Sequence, residues 1–128
     1  MNLTTKTEYG LRALSYLRDN SQSGPINISE ISSELNLSKT YIEQIFRKLK
    51  KANIVESYRG KDGGYQLSKS ASEINIGEVI RILEGDIALS NKCLEENCEV
   101  KDCASRHVYS KIDNAVSNVI DKITLDQI

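Results

Sequence analysis

All three cysteines and the single histidine of this sequence fall within one stretch, spaced Cys93-x4-Cys98-x4-Cys103-x3-His107. Buried cysteines usually behave as small hydrophobes. That role does not suit these three, whose neighbours are Asn91, Lys92, Glu95, Glu96, Asn97, Glu99, Lys101 and Asp102. An odd count of three also gives no basis for a disulfide framework. Three thiolates from one loop suit a soft metal centre. Cys103 opens a helical pattern, where the positive end of the helix dipole favours a thiolate. His107 follows four residues later, one turn along the same face, so both can serve one metal atom. Zinc in a Cys3His site is one reading, although structural zinc sites favour closer pairs such as Cys-x2-Cys. The two wider gaps match an iron–sulfur cluster better. A thiol enzyme is a third reading, but it would show Cys-x-x-Cys in a βαβ setting, and neither is present.

The chain that must position these ligands has 128 residues and is 39% apolar, enough for one core with a short appendage. No stretch approaches the roughly 20 apolar residues of a membrane span. The opening MNLTTKTEYG has no apolar signal core. The expectation is a cytoplasmic protein with no membrane partner. Tandem repeats are absent. Net charge is only −1, yet residues 1–70 carry 11 Lys+Arg against 7 Asp+Glu, and residues 71–128 carry 6 against 11. Residues 39–61 hold Lys39, Arg47, Lys48, Lys50, Lys51, Arg59 and Lys61 against Glu43 and Glu56. A phosphate backbone responds to such a local stripe, not to whole-chain charge. A solvated helix face gives the same pattern, so charge alone does not decide.

The elements sharpen the choice. Thr5-Lys6-Thr7-Glu8 fits a capping box opening a first helix, with Tyr9, Ala13, Tyr16 and Leu17 at helical spacing. A Ser- and Gly-containing turn over 20–25 precedes a second box, Asn27-Ile28-Ser29-Glu30, and a short helix ending near Asn36. Ser38 then caps a third helix. Its core face is Ile42, Ile45, Phe46 and Leu49, and its outer face Lys39, Thr40, Glu43, Gln44 and Arg47. Two short helices joined by a tight turn, the second polar outside, read as a helix-turn-helix. The segments 54–58 and 65–67 alternate like strands around Arg59-Gly60-Lys61-Asp62-Gly63-Gly64, a hairpin turn. A hairpin after a recognition helix is a wing, and Arg59 and Lys61 at its tip suit phosphates or a narrow minor groove. Asn75-Ile76-Gly77-Glu78 resembles a third capping box, opening a helix that ends at Gly85. From Ala104 a stripe of Val108, Ile112, Ala115, Val116, Val119, Ile120 and Ile123 predicts a helix about 30 Å long over 104–123. So small a core does not cover that face, and a dimer partner would. The expected fold is mostly α with a small β-hairpin, a winged helix-turn-helix plus a long C-terminal dimerisation helix. Its units are 1–88 for DNA binding, 89–103 for the cysteine-rich cluster-binding loop and 104–128 for dimerisation.

Over its whole length the chain resembles the iron–sulfur cluster regulators of the Rrf2 family. The resemblance rests on Leu3-Thr4, Lys6, Tyr9, Ser38, Tyr41, Glu43-Gln44, Arg59-Gly60, Gly63-Gly64-Tyr65 and Gly77-Glu78-Val79-Ile80. The cysteines with His107 and the run Ile123-Thr124-Leu125 complete it. It implies a bacterial repressor, a homodimer on a double-stranded DNA operator, with no catalysis and no small-molecule substrate. It also implies that Cys93, Cys98, Cys103 and His107 hold the cluster, 2Fe–2S ahead of 4Fe–4S. The cysteine gaps here are each one residue shorter than the family's usual five, and the last cysteine lies one residue further from the histidine. In nitric-oxide-sensing relatives a partner's carboxylate near Glu8 completes a 4Fe–4S site, which makes Glu8 the alternative fourth ligand to its capping role. A cysteine-metabolism regulator of the family lacks the triad. The glutamate matching Glu43 makes the regulators' choice of site depend on cluster occupancy.

Overall fold

The computed structural model describes residues 2–90 and 102–128; Cys93 and Cys98 lie outside them. Helix α1 (Thr5–Asn20) begins where the sequence places it, but its cap differs. Thr4 is the N-cap and accepts from the Lys6 amide, and no box closes between Thr5 and Glu8. The carboxylate that serves this helix end is Glu84, far along the chain. Its Oε1 accepts from the Thr4 amide at 2.9 Å and hydroxyl at 2.7 Å, and from the Thr7 amide at 3.2 Å and hydroxyl at 2.8 Å. Burial pushes the Glu84 carboxyl up, but these donors outweigh it and hold it below the ordinary carboxylate value.

Helix α2 (Ile28–Leu35) is capped by Asn27, which accepts from the Glu30 amide at 2.8 Å. The Glu30 carboxylate takes the Tyr16 hydroxyl instead of returning to the cap. Asn36, left-handed at φ 54°, ends α2 and turns the chain into α3 (Lys39–Lys51), capped by Ser38. Strands β1 (Val55–Tyr58) and β2 (Gly64–Leu67) pair antiparallel, Val55 opposite Leu67 and Tyr58 opposite Gly64. Ile26 and Tyr65 exchange both main-chain bonds, at 2.9 and 2.8 Å, so the hairpin is also laced to the segment before α2. Gly64 permits this: its φ is 153°, and a Cβ there would overlap the Ile26 carbonyl.

Asn75 caps α4 (Ile76–Glu84), its side chain accepting from the Glu78 amide at 2.9 Å, but Glu78 does not return a bond to close the expected box; Asn75 also donates to the Asp121 carbonyl. Helix α5 (Ala104–Ile120) stops three residues short of the expected end. Ile123 continues the apolar pattern, but it packs against the winged core, and its carbonyl accepts from the Ile76 amide. Leu125 follows it inward and is fully buried. The core itself lies between α1, α3 and α4, with Leu14, Leu17, Phe46, Leu49, Val79 and Leu83 at its centre.

Candidate nucleic-acid interface and metal-ligand helix end

The four apolar side chains of α3, Ile42, Ile45, Phe46 and Leu49, are buried, which fixes the helix's rotation about its axis. Lys39, Thr40, Glu43, Gln44 and Arg47 are therefore all exposed on the opposite side. A major groove about 12 Å wide admits one such helix face. Phe46 stacks on Tyr65 of β2, with ring centroids 4.7 Å apart, so the reading helix and the wing are fastened together. Glu43, Arg47, Lys50, Gly63, Gly64 and Tyr65 line an open groove between them. Arg59 and Lys61 are exposed at the hairpin turn. Behind them the Tyr58 hydroxyl and the Gln66 amide both donate to Glu56, at 2.7 and 2.9 Å. Gln66 first, then Tyr58, holds the Glu56 carboxyl below its ordinary value, so the strands under the wing tip are cross-linked.

On the other flank of α3 a second depression is lined by Lys6, Tyr41, Gln44, Arg47 and Lys48 over Ile45 and Leu83. Arg47 borders both grooves. No local sequence pattern marks Lys6 as part of the site. It lies 33 residues before the recognition helix's Lys39 in the chain, and only packing brings α1 beside α3. The Thr5 hydroxyl is 3.2 Å from that of Tyr41, and the Tyr9 and Tyr41 rings meet edge to face at 5.6 Å.

Cys103 is the N-cap of α5, in extended conformation. The Arg106 amide first, then that of Ser105, faces its sulfur and holds the thiol below its ordinary value. The His107 amide donates to the Cys103 carbonyl at 3.2 Å. The imidazole itself is 70% exposed, with Nε2 2.7 Å from Asp102 Oδ1. Glu8 is exposed on α1. Among the described residues no three His, Cys, Asp or Glu side chains converge as a metal site. Nor is any helix there long and apolar enough to cross a membrane.

Residues 3–128 match the Rrf2 family, described as iron-dependent transcriptional regulators. This chain belongs to the Rrf2 family. The HTH-type transcriptional regulator IscR of Pectobacterium carotovorum subsp. carotovorum strain PC1 is 33% identical over 129 positions, 100% of this chain and 79% of that one. The structure of CymR, the global cysteine regulator of B. subtilis, is similar at TM-score 0.83 and 34% identity, covering 99% of this chain and 95% of that one. T. potens IscR gives TM-score 0.82 and 31% identity, covering 99% and 85%. Like its Rrf2 relatives, then, this chain is a helix-turn-helix transcriptional regulator and not an enzyme. The fold is the expected one: a winged helix-turn-helix from α1 to α4 with its hairpin, followed by the long C-terminal helix α5. Two Rrf2 structures equally close in shape are named IscR and a cysteine regulator, so shape alone does not choose the signal.

Proposed function

We propose that this Rrf2 regulator is a homodimeric repressor whose operator binding responds to an iron–sulfur cluster, controlling genes of iron–sulfur cluster biogenesis. The observation that carries the reading is the donor set. Three thiols and the chain's single imidazole fall within fifteen positions of sequence, the last thiol and the imidazole at the start of α5. The one described thiol of the set is already biased toward thiolate by the amides of that helix end. This chemistry fits a cluster: Cys93, Cys98 and Cys103 supply soft thiolates, and His107 supplies nitrogen once it releases Asp102. When bound, the cluster supplies an oxidisable group whose presence reports iron and sulfide supply. Cluster type stays between 2Fe–2S, which we favour, and 4Fe–4S with Glu8 in place of His107.

The homodimer is supported by α5, which buries no residue of its own. Val108, Ile112 and Val119 are 54%, 38% and 60% exposed and share one side of the helix. In the major groove, Arg47 would pair with guanine and Gln44 with adenine, with Thr40 beside them; Glu43 accepts only from a donor such as cytosine N4. Lys39, Arg59 and Lys61 would contact phosphate or the minor groove.

Anaerobic purification tests the reading. A coloured protein with iron and acid-labile sulfide is expected, and Cys98→Ala should lose both. A colourless protein with one zinc per chain would make this a zinc-stabilised DNA-binding module. Disulfide turnover with neither metal would make it a thiol switch.

A further inference from the structure

The side of α5 turned toward α4, continued into its C-cap, carries oxygen acceptors at four-residue intervals: Asp113, Ser117 and Asp121. Arg81 of α4 ties the lower two, with Nη1 2.5 Å from Asp121 Oδ1 and Nη2 3.3 Å from Ser117 Oγ. Asp113 serves a different partner. Its Oδ1 accepts from the Leu89 amide at 2.7 Å and its Oδ2 from the Ser90 amide at 3.0 Å. Just before them Asp86 accepts from the Ala88 amide at 2.9 Å, and Ile87 packs against the core. The chain leaving α4 is thus stitched across α5 by a carboxylate holding two consecutive amides, a charge-assisted pair.

At about 100° per residue, Cys103 and His107 fall on the side of the Asp113–Asp121 stripe, and Val108, Ile112 and Val119 fall opposite. The clamp therefore delivers the chain at Ser90, three residues before Cys93, to the ligand-bearing side of α5 and away from its exposed apolar seam. Ten residues separate Asp113 from Cys103, about 15 Å of helix. We infer that Asp113 is a positioning residue for the cluster ligands. By fixing the chain at Ser90, it sets the start of the run that leads to Cys93 on the side of α5 that ends in Cys103 and His107. The inference rests on the cluster reading.

Asp113→Ala and Asp113→Asn test it, since both leave Arg81–Asp121 in place. In metal-free Asp113→Ala, hydrogen exchange at the Leu89 and Ser90 amides should quicken about tenfold, with the melting temperature little changed. In the loaded protein, cluster loss to a chelator should quicken by about the same factor. Asp113→Asn, which keeps one acceptor oxygen, should fall between Asp113→Ala and the wild type in both measurements. Unchanged exchange overturns the clamp. Faster exchange with unchanged cluster loss overturns the positioning role while leaving the cluster reading intact. A wild-type protein without iron and sulfide overturns both.

Discussion

Helices α3 and α5 are both amphipathic, at 13 and 17 residues, yet α3 fully buries Ile42, Ile45, Phe46 and Leu49 whereas α5 fully buries no residue. Helix α3 is completed by its own chain: α1, α4 and the hairpin close over it, and Phe46–Tyr65 stacking fixes the wing beside it. Helix α5 is held more lightly, by Ile120 against the core, Arg81 to its C-cap Asp121, and Asp113 to the Leu89 and Ser90 amides. Stability is distributed unevenly in such a molecule, and the elements that switch are drawn from the less stable end. A preformed winged half joined to a lightly tethered helix suits the proposed regulator, whose reading of DNA would be adjusted by what that helix holds.

Charging the apolar seam is the hardest test of this contrast. Ile112→Asp with Val119→Asp should give monomers by sedimentation and cost about 100-fold or more in operator affinity, because two half-sites are read together. The melting temperature of the winged half should barely move, since neither side chain belongs to its core. A double variant that stays dimeric places the interface elsewhere.

The reading half gives smaller and more selective effects. Arg47→Ala should cost about 1–3 kcal/mol on the preferred half-site and relax discrimination at one base pair. Lys61→Ala should weaken all sequences about equally and lower the salt slope by about one unit. Binding titrations over several salt concentrations separate the two. If Lys61→Ala alters base preference instead, the wing reads sequence.

Local patterns made the reading half legible. Ser38 with Ile42, Ile45, Phe46 and Leu49 is a cap and a helical period within one segment, and the turn residues at 59–64 announce the hairpin. Long-range contacts were not legible. Thr4 and Thr5 are equally good hydroxyl caps in sequence, and Glu84, lying 80 residues from Thr4, decides between them. Ile123 keeps the apolar period of α5 because its burial against the winged core also needs a hydrophobe, so periodicity overran the helix end. The proposed ligand set comes from spacing alone, whereas the Asp113 clamp pairs a side chain with main-chain amides, which leave no mark in the sequence.

If the reading made by α3 answers to the group held at the end of α5, Glu43 is where the two should meet. A carboxylate in the groove repels acceptors and phosphates, so it excludes sites, and a small shift of α3 relieves or imposes that exclusion. The direct measurement compares metal-free and cluster-loaded protein, wild type and Glu43→Ala, on half-sites selected from a random duplex pool at one salt concentration. The wild-type forms should prefer different half-sites, while Glu43→Ala should bind a broader set and its two forms become alike. Equal affinities of both wild-type forms on every half-site, or a Glu43→Ala protein that is uniformly weaker with the difference intact, would contradict it.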